Sequence, residues 1–352
     1  MNNMTDNFIN IFPDNTSETS NNKVQNDLDN IPFVTEEDLR TGYIPKQNTG
    51  FSVLQNYSEE LVSKTYVTNP AIARDEEIKK MTLILLSPEK SVVLTGKAGI
   101  GKTSIVEGLS YKIQNKDVPD ALINSKVYKI NTSSLLGTYE HDGVEESKLQ
   151  LLINEIMGKK DIILFIDEIH TLVTAERNGG GVDFLNMLKP GLDRGDIKII
   201  GATTTQEFEE YLLKDKAFLR RFEKVEVEEP DQATTVKIVM GTKKKIEVST
   251  GVTFPYTDWV LEQVATFIVN MTSEYKRVYE NGSRYPDVSL SLFSKCFTYA
   301  RYENSKEVHF KHIYEAIKNT NLVYDDVIKK ELPVFKEKFA EFLSKEGVNV
   351  EI

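Results

Sequence analysis

One glycine-rich segment constrains the fold of this chain more than any other feature. It reads Gly96-Lys97-Ala98-Gly99-Ile100-Gly101-Lys102-Thr103. The apolar, β-branched run at 91–95 before it predicts a buried strand, and the apolar spacing of 103–112 predicts a helix after it. Such a turn directs backbone N–H groups at a polyphosphate, and the amino end of the helix adds a favourable dipole. The segment therefore predicts a phosphate-binding loop within an α/β domain.

The side chains of this loop have separate expected roles. Lys102 can reach the β- and γ-phosphates of a nucleoside triphosphate, where its charge serves both binding and catalysis. The hydroxyl of Thr103 can hold Mg²⁺. The other residues that we expect to surround the nucleotide here are Gly96, Lys97, Ala98, Gly99, Ile100, Gly101 and Ser104. The pattern thus predicts ATP and Mg²⁺ as cofactors.

A second segment supplies carboxylates at the end of an apolar run. Residues 161–168 read Asp-Ile-Ile-Leu-Phe-Ile-Asp-Glu, and 161–166 is the predicted strand. An unbroken apolar run is typical of a central parallel strand, whose carboxyl end is where open α/β sheets bind ligands. We expect Asp167 to hold the Mg²⁺ shell and Glu168 to orient and polarise a water molecule against the γ-phosphate.

Composition limits the classes of partner and of compartment. The 352 residues include 54 acidic and 43 basic ones, a net charge of −11 that argues against a general nucleic-acid-binding surface. No apolar run approaches the about 18 residues of a membrane span, and no signal pattern opens the chain. The single cysteine, Cys296, excludes an intrachain disulfide and fits a reducing compartment. We therefore expect a cytoplasmic protein without a membrane partner and with no general affinity for nucleic acid.

The pattern along the chain divides it into four segments. Residues 1–50 are rich in Asn, Asp, Thr and Ser, and we predict a disordered or interacting tail there. Residues 51–230 alternate strands and helices, which predicts an α/β sandwich around a parallel sheet. Residues 231–325 have only helical periodicity and predict a separate helical lid. Residues 326–352 are expected to form a C-terminal helical extension.

The periodicity also predicts individual elements within these segments. Predicted strands are at 91–95, 126–131, 161–166, 197–202 and 224–227. Predicted helices are at 75–86, 102–115, 145–157, 181–194 and 206–214, then at 231–248, 257–269, 288–303 and 308–320. Pro333 precedes a last predicted helix. This helix has a narrow apolar stripe that consists of Phe335, Phe339 and Phe342. The stripe packs either on its own domain or on a partner.

The chain resembles the AAA+ superfamily, and specifically the first ATPase module of Clp-type protein-remodelling chaperones. The similarity runs from about residue 55 to 300 and includes both segments described above. Further segments that match the family are Asn69–Ile78, Ile105–Leu109, Asp167–Leu172, Asn186–Pro190, Gly201–Thr204 and Phe218–Phe222. The fold that this resemblance implies is a P-loop NTPase sandwich with a parallel sheet, followed by a small all-helical lid.

The resemblance implies roles for residues outside the two segments. Ile72 and Ala73 lie in the part that covers the adenine, where Ala73 replaces the family's usual glycine. Thr204 corresponds to the residue that contacts the γ-phosphate region. Arg220 and Arg221 correspond to arginine fingers, which reach into the site of a neighbouring subunit and stabilise charge in the transition state. The implied assembly is a hexameric homo-oligomeric ring.

The chain departs from the family in the loops that grip a substrate and in the lid. The stretch Tyr139–Gly143 stands at the position of the substrate-gripping pore loop, but His141 replaces the aromatic residue and acidic side chains flank it. Tyr139 is either a displaced aromatic paddle or part of a plain acidic surface loop. A second pore-facing loop is expected at 175–181, and Arg284 is the candidate lid cation near the nucleotide.

Two functions stay open at this point. The leading one is a Mg·ATP-driven remodeller of protein complexes, a stand-alone ring module that lacks the second ATPase module of full-length relatives. The alternative is a nucleotide-dependent loader or binding module that assembles on a partner protein without threading it, which the missing basic and aromatic pore residues favour. A nucleic-acid motor is disfavoured, because phosphate contacts need Lys or Arg and the 139–143 stretch is acidic.

Overall fold

A sheet of six strands organises the first half of the protein. The computed structural model describes residues 52–141, 144–177, 184–279, 282 and 284–347, and the predicted tail at 1–50 lies outside them. The strands in the described part are β1 (Ser58–Glu60), β2 (Ser91–Thr95), β3 (Lys126–Ile130), β4 (Thr138–His141), β5 (Val144–Ser147), β6 (Ile162–Asp167), β7 (Lys198–Thr203) and β8 (Phe222–Glu226).

The sheet has the order β1-β3-β6-β7-β2-β8, and β4 pairs separately with β5. Every neighbouring pair in the larger sheet is parallel except β1 with β3. All residues of β2 and the apolar residues of β6 are buried, as expected for central parallel strands. Because parallel strands end at the same edge, the loop after β2 and the acids after β6 lie on one edge of the sheet.

The five predicted strands are confirmed, each to within two residues. The sequence pattern missed β1 and the β4–β5 hairpin. β1 has three residues, two of them glutamates, and pairs only with β3 at the sheet edge, so it lacks the apolar pattern of a buried strand. The hairpin carries charged residues on both strands, which likewise hides its period.

Helices connect these strands along the chain. They are α1 (Val53–Tyr57), α2 (Asp75–Leu86), α3 (Lys102–Gln114), α4 (Thr132–Leu135), α5 (Lys148–Ile156), α6 (His170–Arg177), α7 (Phe184–Asp193), α8 (Thr205–Glu207) and α9 (Lys216–Arg221). A 3₁₀ turn covers Asp120–Leu122, and a π-helical turn, Phe208–Leu212, continues α8.

The predicted helices before residue 230 are found with one correction. α2 has the predicted bounds and α3 ends one residue earlier than predicted. The helix predicted at 145–157 is wrong at its start, because 144–147 pairs as β5 and α5 begins at Lys148. The helix predicted at 181–194 is α7, and residues 181–183 lie outside the described part. The helix predicted at 206–214 is α8 with its π turn.

The core beneath the phosphate-binding loop is formed by β2, α3 and β6. Val92, Leu94, Ile105, Leu109 and Phe165 are all fully buried there. Burying one side chain of this size contributes about 1.5–3 kcal/mol. This packing fixes the strand before the loop against the helix after it, so the loop has a rigid support on both sides.

The second half of the described chain is helical. Its helices are α10 (Gln232–Thr250), α11 (Asp258–Met271), α12 (Asp287–Tyr302), α13 (Phe310–Lys318), α14 (Asp325–Lys338) and α15 (Ala340–Lys345). The four helices predicted here are confirmed to within two residues as α10–α13. α10 begins where the Asp231 carboxylate accepts the Thr234 N–H at 2.7 Å and ends at Gly251 in the left-handed region. None of the described helices is both long and apolar enough to cross a membrane.

The C-terminal helices correct one prediction. Pro333 lies inside α14, which begins at Asp325, and the chain bends at Phe339 between α14 and α15. The reason is packing: Phe335 and Phe339 are buried in the core of the helical half, and the Phe342 ring stacks on Phe310 with centroids 4.5 Å apart. Of the two alternatives for the apolar stripe, the structure therefore has the stripe packed on its own domain.

Candidate nucleotide site

The glycines of the loop are required by its backbone. Gly96 and Gly101 have φ angles of 155° and 98°, and Gly101 is the residue before α3. A Cβ atom on Gly96 would lie 2.3 Å from the carbonyl oxygen of Val227, just after β8. The close approach excludes any side chain at Gly96, and left-handed backbone favours glycine at Gly101. The loop therefore has the turned backbone that the sequence predicts.

Lys102 lies folded over the loop. Its Nζ donates to the carbonyl oxygens of Gly96 and Lys97 at 2.8 and 2.9 Å. Burial lowers the pKa of Lys102, and the nearby carboxylates of Asp167 and Glu207 only partly oppose this shift. The ammonium group thus has two acceptors in the loop that phosphate oxygens could replace.

The two predicted metal ligands meet at the edge of the sheet. The Thr103 hydroxyl, in the first turn of α3, donates to Oδ2 of Asp167 at the end of β6 with an oxygen–oxygen distance of 3.0 Å. Hydroxyl and carboxylate oxygens are the hard ligands that Mg²⁺ prefers. The donor set of this pair therefore fits a magnesium ion next to the phosphate-binding loop.

Glu168 follows directly and has an unusual backbone. Its φ is 54°, in the left-handed region, and its side chain is exposed. It lines a cleft of about 540 Å³ together with Lys129, Asn131, Thr132 and Asp167. Non-glycine residues in this region are strained and cluster at functional sites. Glu168 thus lines an open cleft beside the predicted metal ligands, a position from which its carboxylate could polarise a water molecule.

Thr204 lies in a hydrogen-bonded network at the end of β7. Its hydroxyl accepts the Glu207 N–H at 3.2 Å, and its own N–H donates to the Glu207 carboxylate at 2.9 Å, which is a capping box for α8. The Thr203 hydroxyl donates to the same carboxylate at 3.0 Å, and His170 Nδ1 lies 3.0 Å from that hydroxyl. A hydroxyl that accepts one hydrogen bond still has its own hydrogen to donate.

Our sequence prediction did not include His170 and Glu207 in the site. The signal for Glu207 was present, because Thr204-Thr205-Gln206-Glu207 has the capping-box spacing of Thr and Glu. His170 gave no signal of its own. Its contact is with Thr203, which lies at the end of β7 and is distant from His170 in the sequence.

An apolar pocket lies between the 69–78 segment, the loop and the helical half. Its apolar lining residues are Pro70, Ala71, Ile72, Ile100, Ile238, Pro286 and Leu290, and its polar ones include Thr242 and Lys245. Ala73, beside the pocket, has a φ of 55°. A left-handed backbone favours glycine, which is the residue that the resemblance implies at this position. The pocket has the character of a base-binding site, and Ile72 is among its lining residues.

Arg74 is a residue whose role the sequence did not reveal. It is buried, and its Nη2 donates to the carbonyl oxygens of Ile100 and Glu228 at 2.8 and 3.2 Å, while Nη1 pairs with Glu77 at 2.7 Å. This single guanidinium joins the 69–78 segment to the phosphate-binding loop and to the chain after β8.

The helical half contributes Asp287 to the loop. The Asp287 Cβ lies 3.1 Å from the position that a Cβ would take on Gly99. Burial raises the pKa of the Asp287 carboxyl. The assignment of Arg284 as the lid cation stays a prediction.

The two predicted finger arginines lie at the amino ends of the parallel strands, opposite the carboxyl ends where the phosphate-binding loop lies. They end α9 directly before Phe222, which pairs with Ser91 at the start of β2, whereas the loop follows Thr95 at the end of β2. Four residues of strand span about 13 Å. Arg220 is exposed, while Arg221 pairs with Asp193 of α7. Neither arginine is therefore placed to serve the loop of its own chain.

Comparisons with known sequences identify the kind of domain. Residues 92–228, from β2 to the end of β8 and two residues beyond, match the ATPase family associated with various cellular activities (AAA). The chaperone protein ClpB of Staphylococcus epidermidis is 40% identical over 243 residues, which are 67% of this chain and 28% of that protein. ClpB of Porphyromonas gingivalis is 41% identical over 201 residues, 56% of this chain and 23% of that protein.

Solved structures of Hsp104 have the same fold. An S. cerevisiae Hsp104–casein complex in an extended conformation has a TM-score of 0.61 at 33% identity, over 73% of this chain and 43% of that chain. A closed-state Hsp104 reconstruction with ATPγS and FITC-casein has a TM-score of 0.63 at 28% identity. The match covers 85% of this chain and 54% of that chain. The chain carries an AAA+ ATPase domain. It resembles Clp-type modules, and it spans 28% of the S. epidermidis ClpB that it matches.

The AAA+ domain has a β-hairpin where the gripping loop was predicted. β4 and β5 pair from Thr138 with Ser147 to His141 with Val144, so the stretch is not a plain loop, and residues 142–143 lie outside the described part. An Asp-Gly dipeptide between two strands was the hairpin signal that sequence reasoning missed. Glu140 lies opposite Glu145, so the hairpin carries facing acidic residues.

The second predicted pore loop of this AAA+ domain is described only at its start. Residues 175–177 are the last turn of α6, so the prediction of a loop is wrong for these three residues. Residues 178–181, with the glycine run, lie outside the described part.

Proposed function

We propose that this AAA+ domain hydrolyses Mg·ATP in a homo-oligomeric, hexameric ring and uses the energy to remodel protein partners. One observation carries the ring: exposed Arg220 lies at the sheet edge opposite the loop of its own chain. A guanidinium in that place can act only on the site of another copy, whose exposed cleft beside Glu168 is open to it. Catalysis therefore requires assembly.

Within one site, binding falls to the loop and the end of β6. Lys102 exchanges its carbonyl acceptors at Gly96 and Lys97 for oxygens of the β- and γ-phosphates. Thr103 and Asp167 hold Mg²⁺, which neutralises phosphate charge when it is bound. The pocket that Ile72 lines takes the base, because apolar residues form half of its lining.

Hydrolysis falls to residues that reach the γ-phosphate from different elements. Glu168 accepts a hydrogen bond from the attacking water and polarises it. The hydroxyl of Thr204 donates its remaining hydrogen to the phosphate or the water. Arg220 of a second copy stabilises the charge that develops on the phosphoryl group, an effect of about 10³–10⁵ in rate where arginine fingers have been removed.

The protein-remodelling part of the proposal is supported by the relatives. The matching ClpB proteins are chaperones, and both Hsp104 structures contain casein. The acidic hairpin supports the second candidate, a loader that holds a partner without threading it, because Glu140 and Glu145 face each other on it. The acidic residues Glu140 and Asp142 also flank His141, where the resemblance implies basic residues. A cytoplasmic location and a protein rather than a nucleic-acid partner belong to the same proposal, the latter supported by the net charge of −11.

A trapping experiment tests this function. Glu168→Gln should bind ATP with wild-type affinity yet hydrolyse it at least about 100-fold more slowly, because an amide cannot polarise water as a carboxylate does. Glu209→Gln, at an exposed glutamate of the π turn, is the matched control and should keep wild-type turnover. Lys102→Ala should lose nucleotide binding.

The same variants then test the partner. With ATP, Glu168→Gln should retain protein partners from the source cell that Lys102→Ala does not retain. Wild-type turnover in Glu168→Gln would place the base elsewhere, and micromolar ATP affinity in Lys102→Ala would contradict the site. Equal capture by both variants would contradict ATP-dependent binding of a partner.

A further inference from the structure

A second lysine stands beside the predicted metal ligands. Lys129 Nζ lies 3.9 Å from Oδ2 of Asp167, the same oxygen that accepts the Thr103 hydroxyl, and both side chains of the pair are 34% exposed. Lys129 comes from β3, whereas the loop lysine comes from α3. The contact therefore adds a cation from a strand that lies outside the phosphate-binding loop and the helix after it.

The sheet register fixes Lys129 in this place. Lys129 pairs with Phe165 across the parallel β3–β6 ladder, and alternate residues of a strand share a face, so Lys129, Phe165 and Asp167 lie on one face. The ammonium lies 5.8 Å from the centre of the Phe165 ring. The stem of Lys129 thus crosses a buried aromatic ring to bring its charge to the carboxylate.

Asp167 therefore interacts with two cations. The second is Lys102, which lies folded over the loop and whose lowered pKa the Asp167 carboxylate partly opposes. Lys129 approaches from the cleft that Glu168 lines. A carboxylate with cationic neighbours has part of its charge balanced before any metal binds, and Oδ2 of Asp167 already accepts the Thr103 hydroxyl.

We infer that Lys129 is a resident positive charge of the metal site, which holds Asp167 in place and competes with Mg²⁺ for it. The inference rests on the proposed function, because it concerns the Mg·nucleotide that this site would bind. Two effects follow, because the Lys129 ammonium repels Mg²⁺ and because it already supplies part of the positive charge that Mg²⁺ would bring. The site binds Mg²⁺ more weakly than it would with an uncharged residue at 129, and nucleotide binding depends less on Mg²⁺.

Nucleotide affinity measured with and without metal tests this inference. The dissociation constant of a fluorescent ATP analogue is measured with the full chain in excess EDTA and across a Mg²⁺ titration. We compare the dissociation constant in EDTA with the one at saturating Mg²⁺. In Lys129→Met, the ratio of the first to the second should rise about tenfold over wild type. This is the lower end of the effect that one charge at 4–6 Å has on the ionisation of a neighbouring group. The Mg²⁺ concentration that gives half of the full gain in analogue affinity should be lower in this variant than in wild type.

Lys126→Met is the matched control, since Lys126 is an exposed lysine at the start of the same strand. It should keep the wild-type ratio. Lys129→Gln repeats the test if methionine packs badly on Phe165 and prevents folding. An unchanged ratio in the Lys129 variants, or a higher Mg²⁺ requirement, would overturn the inference while leaving ATP binding intact. Wild-type protein that binds no nucleotide in either condition would overturn the proposed function as well.

Discussion

Two non-glycine residues of the site have left-handed backbone, Ala73 with a φ of 55° and Glu168 with a φ of 54°. An L-residue in this conformation costs roughly 1–2 kcal/mol. At Glu168 the strained turn places a carboxylate at the cleft that Asp167 also lines, where the proposed function has it polarise water. At Ala73 the resemblance points to a glycine in relatives, and the side chain has no comparable role.

Replacing Ala73 by glycine should therefore stabilise the protein. We expect the free energy of unfolding of Ala73→Gly to rise by about 0.5–1 kcal/mol, because the relief of left-handed strain exceeds the entropy cost of glycine. Urea unfolding measures it. Ala121→Gly is the control: Ala121 is exposed in a 3₁₀ turn without a left-handed φ, and glycine there should lower stability. A loss in Ala73→Gly equal to that of the control would contradict the strain argument.

At the residue scale, the sequence predicted the side chains that belong to a local motif. Lys102, Thr103 and Asp167 follow from spacing along one segment or at one strand end, and the structure brings the three together. Arg74 and Lys129 could not be predicted, because their roles depend on contacts with residues that only the folded sheet brings near. Tertiary placement, rather than residue type, gives Arg74 its contacts and Lys129 its inferred role.

At the element scale, the capping box after β7 joins the sheet to the site. Burial alone would raise the pKa of Glu207, but the hydrogen bonds from Thr204 and Thr203 outweigh it, so the pKa lies below its ordinary value. A depressed carboxyl pKa stabilises the fold above the ordinary glutamate range, and this stabilisation is lost as pH falls through the folded-state pKa. The network is thus intact at neutral pH.

Glu207→Ala should lower the free energy of unfolding by about 1 kcal/mol at pH 7, since α8 loses its cap. The deficit relative to wild type should shrink below about pH 4, where the wild-type carboxylate is protonated too. Denaturant unfolding across pH measures both effects. Glu209→Ala is the control. Glu209 is an exposed glutamate two residues after Glu207, and its replacement should change the free energy of unfolding little. A deficit that is independent of pH would contradict the charged network.

The β4–β5 hairpin carries the prediction that separates threading from loading. If the ring threads polypeptide, Tyr139→Ala/His141→Ala should keep basal ATPase and lose its stimulation by a protein partner, because aromatic faces can grip many sequences. Thr138→Ala on the same strand is the control and should keep both activities. Full stimulation in the double variant would exclude threading by this hairpin and favour the loader.

Elements with a strong burial pattern were predictable and those set by pairing were not. β2 and β6 are apolar throughout, and both were found from the sequence. β5 was predicted as helix because its residues lead into the helical pattern of α5, and only its pairing with β4 overrides that pattern. Pro333 likewise signalled a helix start, yet buried Phe335 holds it inside α14.

At the scale of the whole molecule, the proposed sharing of a site between copies depends on the two opposite ends of the parallel strands. The phosphate-binding loop, Asp167 and Glu168 share the carboxyl edge, and Arg220 lies at the amino edge. In the proposed function, one chain therefore holds both halves of a catalytic site without bringing them together. The sequence alone implied this division only through resemblance, because the distance between the halves is a property of the parallel sheet.

The most direct measurement of this claim mixes two inactive variants. Arg220→Ala keeps an intact loop and Glu168 but lacks the finger, while Glu168→Gln lacks the base but keeps Arg220. Each alone should have little ATPase activity, and an equimolar mixture that co-assembles by size-exclusion chromatography should regain a substantial part, since Glu168→Gln copies supply arginines to the intact sites of Arg220→Ala copies. Co-assembled mixtures with no activity beyond the sum of the two variants would contradict catalysis shared between copies.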